Sequence, residues 1–401
     1  MRIRPIILCG GEGTRLWQKP SRNEPKQFIN FGGWTLIEKT LNRIKGPIFD
    51  YPIISTNAKY LNKIKYFLKK NKFNKYKIIL EPAKRNTAPA VLSAALIHSI
   101  PSKQPLLFLP ADHLLEKINV FNKNLLKHSK YLNKNNIFLF GIKPTNPSNQ
   151  YGYLSVKKVE KNLKKVVKFV EKPSVKKAKL LIKKNFLWNS GMFFARKDSI
   201  INNFKKFDNK TLKCCYQSII KGKIKEKIIL LNKKKFLTSP ANSFDYAILE
   251  KSNYINCISL NIPWTDLGNW IEILRVFNIN KFKYFKKNNV FIRPWGKYIN
   301  LFRGNNFLIK ELIVNSKSSI SLQKHNHRSE HWTVIQGKPR ITINKRKFFI
   351  YEKDSVFIPI KAIHRIENLY KKPIRIMEAQ IGSILKESDI VRYKDVYGRI
   401  N

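Results

Sequence analysis

The chain has 401 residues, enough for two or three domains with their own cores. A hydrophobic share of 43% excludes a disordered polymer, and no apolar run reaches the length of a membrane-spanning helix. The formal net charge of +54 comes from lysines spread over the whole length beside abundant Asn, Ile, Tyr and Phe, the bias an AT-rich genome imposes on neutral surface positions. With no clustered footprint and no accompanying motif, it does not mark a nucleic-acid-binding surface, although a general positive field attracts phosphorylated substrates. Cys9, Cys214, Cys215 and Cys257 have neither zinc spacing nor the look of a disulfide framework, and the N-terminus lacks the apolar core of a signal peptide. The expected setting is the cytoplasm.

From residue 1 to about 140, short apolar runs alternate with amphipathic stretches. Strands are predicted at 3–9, 52–56, 78–81, 106–110 and 137–141, with helices at 36–44, 59–69, 88–98 and 121–132. That alternation predicts an α/β, Rossmann-like domain, its mostly parallel sheet covered by helices on both faces. In such sheets ligands sit at the carboxyl ends of the strands. From 151 to about 280 the pattern is mixed, with strand-like runs at 166–170 and 191–195. The basic stretch 281–287 has no core periodicity and marks a linker over 281–292, between a domain at 1–280 and another at 293–401. There short strands at 307–314, 332–335, 340–343, 355–358 and 374–380, separated by turns, predict an all-β barrel or jelly roll.

The first predicted strand empties into GGEGTRLW, beginning at Gly10, and PSRNEPKQF follows and ends at Phe28. Backbone N–H groups of a glycine loop after a buried strand hold anions, and Arg15 and Lys26 stand close in sequence to neutralise phosphate charge. A dinucleotide fingerprint needs a third glycine where this chain has Leu16, and no Gly-Lys-Ser/Thr ending makes a P-loop. Further strings follow in order: EPAKRNTAPA from Glu81, LPADH from Leu109, GIKPTNPSNQYGYLSV from Gly141, and FVEKP from Phe169. FLWNSGMF from Phe186, SFDYAILEK from Ser243 and WTDLGNW from Trp264 complete the series.

The ordered series resembles the sugar-nucleotide pyrophosphorylases, and among them the mannose-1-phosphate guanylyltransferases. The resemblance implies transfer of GMP from GTP to mannose 1-phosphate, with release of pyrophosphate. It places Gly10, Gly11, Gly13, Thr14, Glu81, Arg85 and Asn86 at the nucleotide, and Arg15 and Lys26 at the triphosphate as catalytic residues. Gly152, Glu171, Lys172 and Asn189 look like sugar-phosphate contacts. A hard divalent ion suits phosphoryl chemistry, held by one or two carboxylates. Asp112 and Asp266 are the natural pair for Mg²⁺.

From Gln323 the chain reads QKHNHRSEHW and from Pro359 PIKAIHRIEN. His325, His327 and Glu330, with His364 from a later strand, have the ligand types of a barrel-lined site for Zn²⁺ or another divalent transition metal. Alternation along a strand turns His325 and His327 to one face. Glu330 is out of step and needs a turn to join them, while His331 is in step and is the rival third ligand. The two strings resemble cupin motifs and, more narrowly, the type II mannose-6-phosphate isomerase domain fused to bacterial guanylyltransferases. RPWGKY from Arg293 and the segment ending at Arg399 extend that match. It implies interconversion of mannose 6-phosphate and fructose 6-phosphate through an enediol, with Arg399 and Arg365 as stabilising cations. The alternative is a transferase whose cupin is a non-catalytic regulatory or assembly domain. A homo-oligomer is expected, with GTP, mannose 1-phosphate and mannose 6-phosphate as small-molecule partners and no membrane or nucleic-acid partner.

Two departures stand out. Trp17 is followed by Gln18 and Lys19 where the family usually has Pro, which displaces Ser21-Arg22 by one position. Asp266 and Arg293 also lie much closer together than in the usual fused enzymes, where a β-rich stretch intervenes.

Overall fold

Runs of consecutive apolar residues bury a strand on both faces, and in the computed structural model of this chain they build a central sheet. The structure describes residues 2–11, 25–29, 34–160, 163–268, 272, 289–303, 306–394 and 397–398. Gly13, Thr14, Arg15 and Arg399, and the basic stretch 281–287, lie outside the described residues. The described chain groups into two compact units, built mainly from residues up to Asp266 and from Leu267 onward.

Strands of the first unit are β1 (Arg4–Cys9), β2 (Ile53–Asn57), β3 (Lys77–Glu81), β4 (Pro105–Pro110), β5 (Leu114–Leu115), β6 (Ile137–Ile142), β7 (Tyr153–Glu160), β8 (Leu163–Val170), β9 (Leu187–Arg196), β10 (Lys223–Lys225), β11 (Ile228–Leu230), β12 (Ile255–Leu260) and β13 (Trp264–Thr265). Its helices are α1 (Leu36–Arg43), α2 (Leu61–Lys70), α3 (Thr87–Ala95), α4 (Ile118–Ser129), α5 (Val175–Lys183), α6 (Lys197–Phe207), α7 (Asn209–Ile220) and α8 (Lys233–Leu237). Among the described residues the main sheet runs β10-β11-β3-β2-β1-β4-β9-β6-β12-β8-β7. β11, β3, β2, β1 and β4 are parallel, as are β6 and β12, and β9 lies antiparallel between β4 and β6.

Strand alternation sends Ile7 and Cys9 to a core with Ile37 and Leu41 of α1, Ile64 of α2 and Leu125 of α4. Ile6 faces the opposite core, with Val91 of α3, Phe204 of α6 and Phe236 of α8. The layers are thus helix, sheet, helix. A capping box starts α1: the Thr35 hydroxyl accepts from the Glu38 N–H, and the Glu38 carboxylate accepts from the Thr35 N–H at 2.9 Å. All predicted strands and helices of this half are present with ends moved by a few residues. Apolar pattern reveals only the carboxyl half of β9, because Asn189 and Ser190 are polar yet buried.

The second unit contains β14 (Val290–Arg293), β15 (Gly296–Arg303), β16 (Phe307–Val314), β17 (Leu322–His325), β18 (Arg328–Gln336), β19 (Arg340–Ile343), β20 (Arg346–Phe349), β21 (Ser355–Ile358), β22 (His364–Glu367), β23 (Ile374–Gly382) and β24 (Ile390–Lys394). One sheet runs β14-β15-β16-β23-β18-β21 and the other β20-β19-β22-β17-β24. Val314, Trp332, Val334 and Ile376 of the first pack with Ile341 and Ile366 of the second, as in a jelly roll. Residues 290–292, expected in the linker, instead pair with β15, Ile292 opposite Lys297. Ile292 is 80% exposed, whereas Phe291 turns inward against the core and stacks on Tyr298 of β15, ring centroids 4.8 Å apart. Among the described residues no helix is long and apolar enough to cross a membrane.

Phe108 of β4 is fully buried and stacks on Phe193 of β9, ring centroids 4.4 Å apart, where parallel and antiparallel strands meet. Phe108→Ala is expected to lower the stability of the first unit by about 3–5 kcal/mol, read from urea denaturation.

Candidate functional site

Because β3, β2, β1 and β4 are parallel neighbours, the chain leaves β1 at Gly10, β3 at Glu81 and β4 toward Asp112 on one rim of the sheet. Glu81 is buried, and Ser55 of β2 donates its hydroxyl to Glu81 Oε1 at 2.7 Å. A Cβ added to Gly10 would lie 3.7 Å from that same oxygen, so the acid lies against the glycine loop. Burial pushes the Glu81 carboxyl up to about 7, against the smaller opposing pull of the Ser55 hydrogen bond. Gln27 donates to the Gly11 carbonyl at 2.9 Å and ties the far side of the loop back to its start. Arg85 donates to the Leu237 main-chain oxygen, and Asn86 caps α3 with its side chain accepting from Thr87 N at 2.9 Å.

Lys26, on the short 3₁₀ turn Lys26–Phe28, is 3% exposed. Its ammonium lies 2.8 Å from Asp112 Oδ2 and also donates to the main-chain oxygen of Asp266. Asp266 reaches this point because β13 pairs antiparallel with β5, Thr265 opposite Leu114, just beyond Asp112. Acceptors of both aspartates therefore converge on one cation, and their hard oxygens are the donor type that Mg²⁺ prefers. Tyr151 donates its hydroxyl to Asp266 Oδ1 at 2.8 Å, and the buried Arg43 of α1 donates to the His113 carbonyl at 2.9 Å. Sequence reasoning assigned neither residue a role.

Gly152, Glu171 and Asn189 come together as a second wall. Asn189 N donates to the Gly152 carbonyl at 2.8 Å, and a Cβ on Gly152 would sit 2.7 Å from Glu171 Oε2. Lys172 pairs with Glu171 at 2.9 Å but is itself largely exposed. Asp245, in the SFDYAILEK string, accepts from Asn189 Nδ2 at 3.3 Å. Burial, and then the Glu171 charge, push its carboxyl up to about 6. It is a half-buried acid that a sequence pattern alone did not distinguish.

In the second unit β17 ends at His325, and Asn326 and His327 form the turn into β18. Alternation therefore breaks between the two histidines. His327, expected as a ligand, is 51% exposed and pairs through Nδ1 with Asp389 at 2.8 Å, outside the cluster. That same turn brings Glu330 inward with Arg328 and Trp332 of β18. Glu330 lies 3.0 Å from His325 Nε2 and 3.7 Å from His364 Nε2, and the three buried residues offer ligand atoms all within 4.8 Å of one another. His331 is on the other face of β18, so Glu330 rather than His331 completes the group. Gln323, two residues before His325 on β17, brings its amide nitrogen to 3.5 Å from His325 Nε2. Arg365 donates to the Lys394 main-chain oxygen at 2.9 Å.

The electrostatics of the cluster suit a metal. Burial alone would raise Glu330, but His325, His364 and Arg328 outweigh it and hold the carboxyl well below the usual range. Gln380 and Trp332 also donate to it, at 3.0 and 3.1 Å. Burial pushes the His364 imidazole down to about 4, so it is neutral near pH 7. Its Nδ1 faces the Ala362 carbonyl at 2.9 Å and must donate, which leaves a lone pair on Nε2. That Nε2 is buried with no hydrogen-bond partner. A neutral imidazole lone pair beside an ionised buried carboxylate is a ligand set for zinc or a similar ion.

Residues 4–281 match the nucleotidyl transferase family, and residues 280–395 match the mannose-6-phosphate isomerase C-terminal family. The chain is 30% identical to the xanthan biosynthesis protein XanB of Xanthomonas campestris, over 99% of each chain. It is 29% identical to mannose-1-phosphate guanylyltransferase of Escherichia coli, over 100% of this chain and 99% of the relative. Among solved structures, mannose-6-phosphate isomerase from Helicobacter pylori superposes with a TM-score of 0.58 at 26% identity, covering 66% of this chain and 100% of that one. The XanB alignment runs over 464 positions, more than the 401 residues of this chain, so XanB carries residues that this chain lacks.

Folding raises the Glu81 carboxyl from 4.5 to about 7, so the folded state holds this proton more tightly than the unfolded chain. The stabilising share is complete below pH 4.5 and is lost as the pH rises through about 7. Glu81→Gln removes that titration. Its stability relative to the parent should rise across this window by about 3 kcal/mol, measured by urea denaturation at either end.

Proposed function

On the premise that the chain belongs to the nucleotidyl transferase family and carries a C-terminal domain of the mannose-6-phosphate isomerase type, we propose that its first unit transfers GMP from GTP to mannose 1-phosphate. A phosphate oxygen of the sugar bonds to the α-phosphorus, the α–β phosphoanhydride bond breaks, and GDP-mannose and pyrophosphate result. The observation that carries this reading is the convergence of Asp112 and Asp266 on the buried ammonium of Lys26. Lys26 neutralises charge on the triphosphate as it builds toward the transition state, with Arg15 of the glycine loop as its partner. Asp112 and Asp266 hold Mg²⁺, which when bound supplies Lewis-acid neutralisation of the phosphates.

Main-chain N–H groups from Gly10, Gly11, Gly13 and Thr14 cradle the phosphates, and Glu81, Arg85 and Asn86 line the nucleoside side. Gly152, Glu171, Lys172 and Asn189 receive the sugar phosphate. The buried Asn189 and the neighbouring Glu171 reward only a sugar whose hydroxyls pair with them. The full-length likeness to a protein named mannose-1-phosphate guanylyltransferase supports this substrate pair. The unpaired cysteines support a cytoplasmic setting.

The second unit interconverts mannose 6-phosphate and fructose 6-phosphate in the same reading. His325, Glu330 and His364 hold Zn²⁺ or a related ion, which when bound polarises the sugar carbonyl. Arg399 stabilises the enediolate or the phosphate. The unpartnered His364 Nε2 inside the barrel is what favours a working metal site over a purely structural domain.

Incubation with each of the four nucleoside triphosphates, mannose 1-phosphate and Mg²⁺ is expected to give GDP-mannose and pyrophosphate from GTP. A folded sample inactive with all four would overturn the transferase reading. Lys26→Met is expected to lower kcat by about 10²–10³-fold. Separately, mannose 6-phosphate should yield fructose 6-phosphate, with the activity lost to a chelator, restored by divalent metal, and absent in Glu330→Gln. An active transferase that releases no fructose 6-phosphate would leave the second unit a regulatory or assembly domain.

A further inference from the structure

Tyr151 belongs to neither cluster by its chemistry, yet it touches one and adjoins the other in sequence. Its hydroxyl donates to Asp266 Oδ1 at 2.8 Å, deep in the unit where Tyr151 is 6% and Asp266 5% exposed. A hydrogen bond to an ionised oxygen is among the stronger kinds, and burial removes the water that would otherwise compete for it. The ring has little freedom: it meets Trp188 edge-on at 4.8 Å and Trp264 edge-on at 5.2 Å between centroids. Trp264 is two residues before Asp266 on β13, so the strand that delivers the acid also packs against the ring that binds it. On the other side, the next residue, Gly152, is held by Asn189 through its carbonyl.

A carboxylate turns about its last side-chain bond and can present either oxygen. Lys26 fixes the main chain of Asp266 but, through that contact, not the orientation of its carboxylate. The Tyr151 hydroxyl holds one oxygen of that carboxylate, Oδ1, in a fixed direction. We propose that Tyr151 is a positioning residue for the divalent cation of the first unit, fixing which oxygen Asp266 presents and so setting the affinity of the site. This rests on the reading of Asp112 and Asp266 as the metal pair.

The test is direct Mn²⁺ binding, followed by loss of the free-ion electron paramagnetic resonance signal, with the full-length chain and no nucleotide. All arms carry His325→Ala and His364→Ala so that the second unit does not contribute. Tyr151→Phe keeps the ring and its aromatic packing, and is expected to retain the melting temperature while weakening Mn²⁺ binding about 10-fold. In an Asp266→Asn background the same change should have no further effect, because the hydroxyl acts through that carboxylate. An unchanged or tighter affinity in Tyr151→Phe overturns the proposal, as does a loss that persists undiminished in the Asp266→Asn background. If Tyr151→Phe melts early, the cycle is repeated with Tyr151→His, whose ring nitrogen can restore a donor; recovery toward the parent affinity supports the role and its absence opposes it. Asp112→Asn separates the two levels. If it too leaves Mn²⁺ affinity unchanged, the metal-pair reading itself falls.

Discussion

A lysine ammonium that is 3% exposed has to be met by acceptors, because an unpaired buried charge costs more than a domain's margin of stability can absorb. In this chain the acceptors are Asp112 Oδ2 and the Asp266 carbonyl, from positions far apart in sequence. Much of the first unit's local architecture is organised by that requirement. The 3₁₀ turn at Lys26 exists where its side chain can reach inward, and the two-residue pairing of β5 with β13 has almost no core of its own. Its consequence is positional: it carries Asp266 to the rim where β4 ends. Arg43 holds the His113 carbonyl from the opposite side, so the segment after Asp112 is fixed by a second buried cation.

The second unit solves the complementary problem, a buried anion. Glu330 is 1% exposed and is met by His325, Arg328, Gln380 and Trp332 at 3.0–3.2 Å. Removing any one partner leaves the rest, so the carboxylate stays ionised and oriented. The cost of burial is thereby offset by several charge-assisted hydrogen bonds rather than by one ion pair. Nearby, Glu378 shows the contrast. Burial, and the neighbouring Glu330 charge, push its carboxyl up to about 7 against the smaller opposing pull of Lys310, 3.8 Å away. Two buried acids on adjacent strands thus have opposite charge preferences, set by partners and not by residue type.

Much of this was legible in sequence, and the limits were physical. β1 to β4 and their helices declared themselves because both sheet faces are apolar and the helices are amphipathic. Asp112, Asp266 and Lys26 could be singled out because each lies in a distinctive string, while the direct contacts of Lys26 with both aspartates are visible only in the folded chain. His327 shows the opposite failure. The two-residue period is valid only inside a strand, and a turn between His325 and Arg328 resets which residues face inward. The same reset supplies the turn that Glu330 was expected to need, so one turn faces His327 outward and Glu330 inward. Strand β14 was absorbed into the linker because its apolar run is short and lies close behind the basic stretch 281–287, and Tyr151 was passed over because a hydroxyl's partner is a tertiary fact.

The net charge of +54 tests whether surface composition dictates such sites. Exposed charges beyond a Debye length of about 8 Å are largely screened at physiological salt, so most lysines cannot set the protonation of a buried acid. The perturbed groups bear this out: Glu81 is raised by burial against the pull of Ser55, and Asp245 by burial and then by Glu171. In both, the larger effect is local and favours the neutral acid, although the chain as a whole is strongly cationic. The surplus acts instead at the surface, where like charges repel and phosphorylated ligands are attracted. A chain can therefore gain lysine at most surface positions while its buried acids keep their chemistry, provided each keeps its own near neighbours.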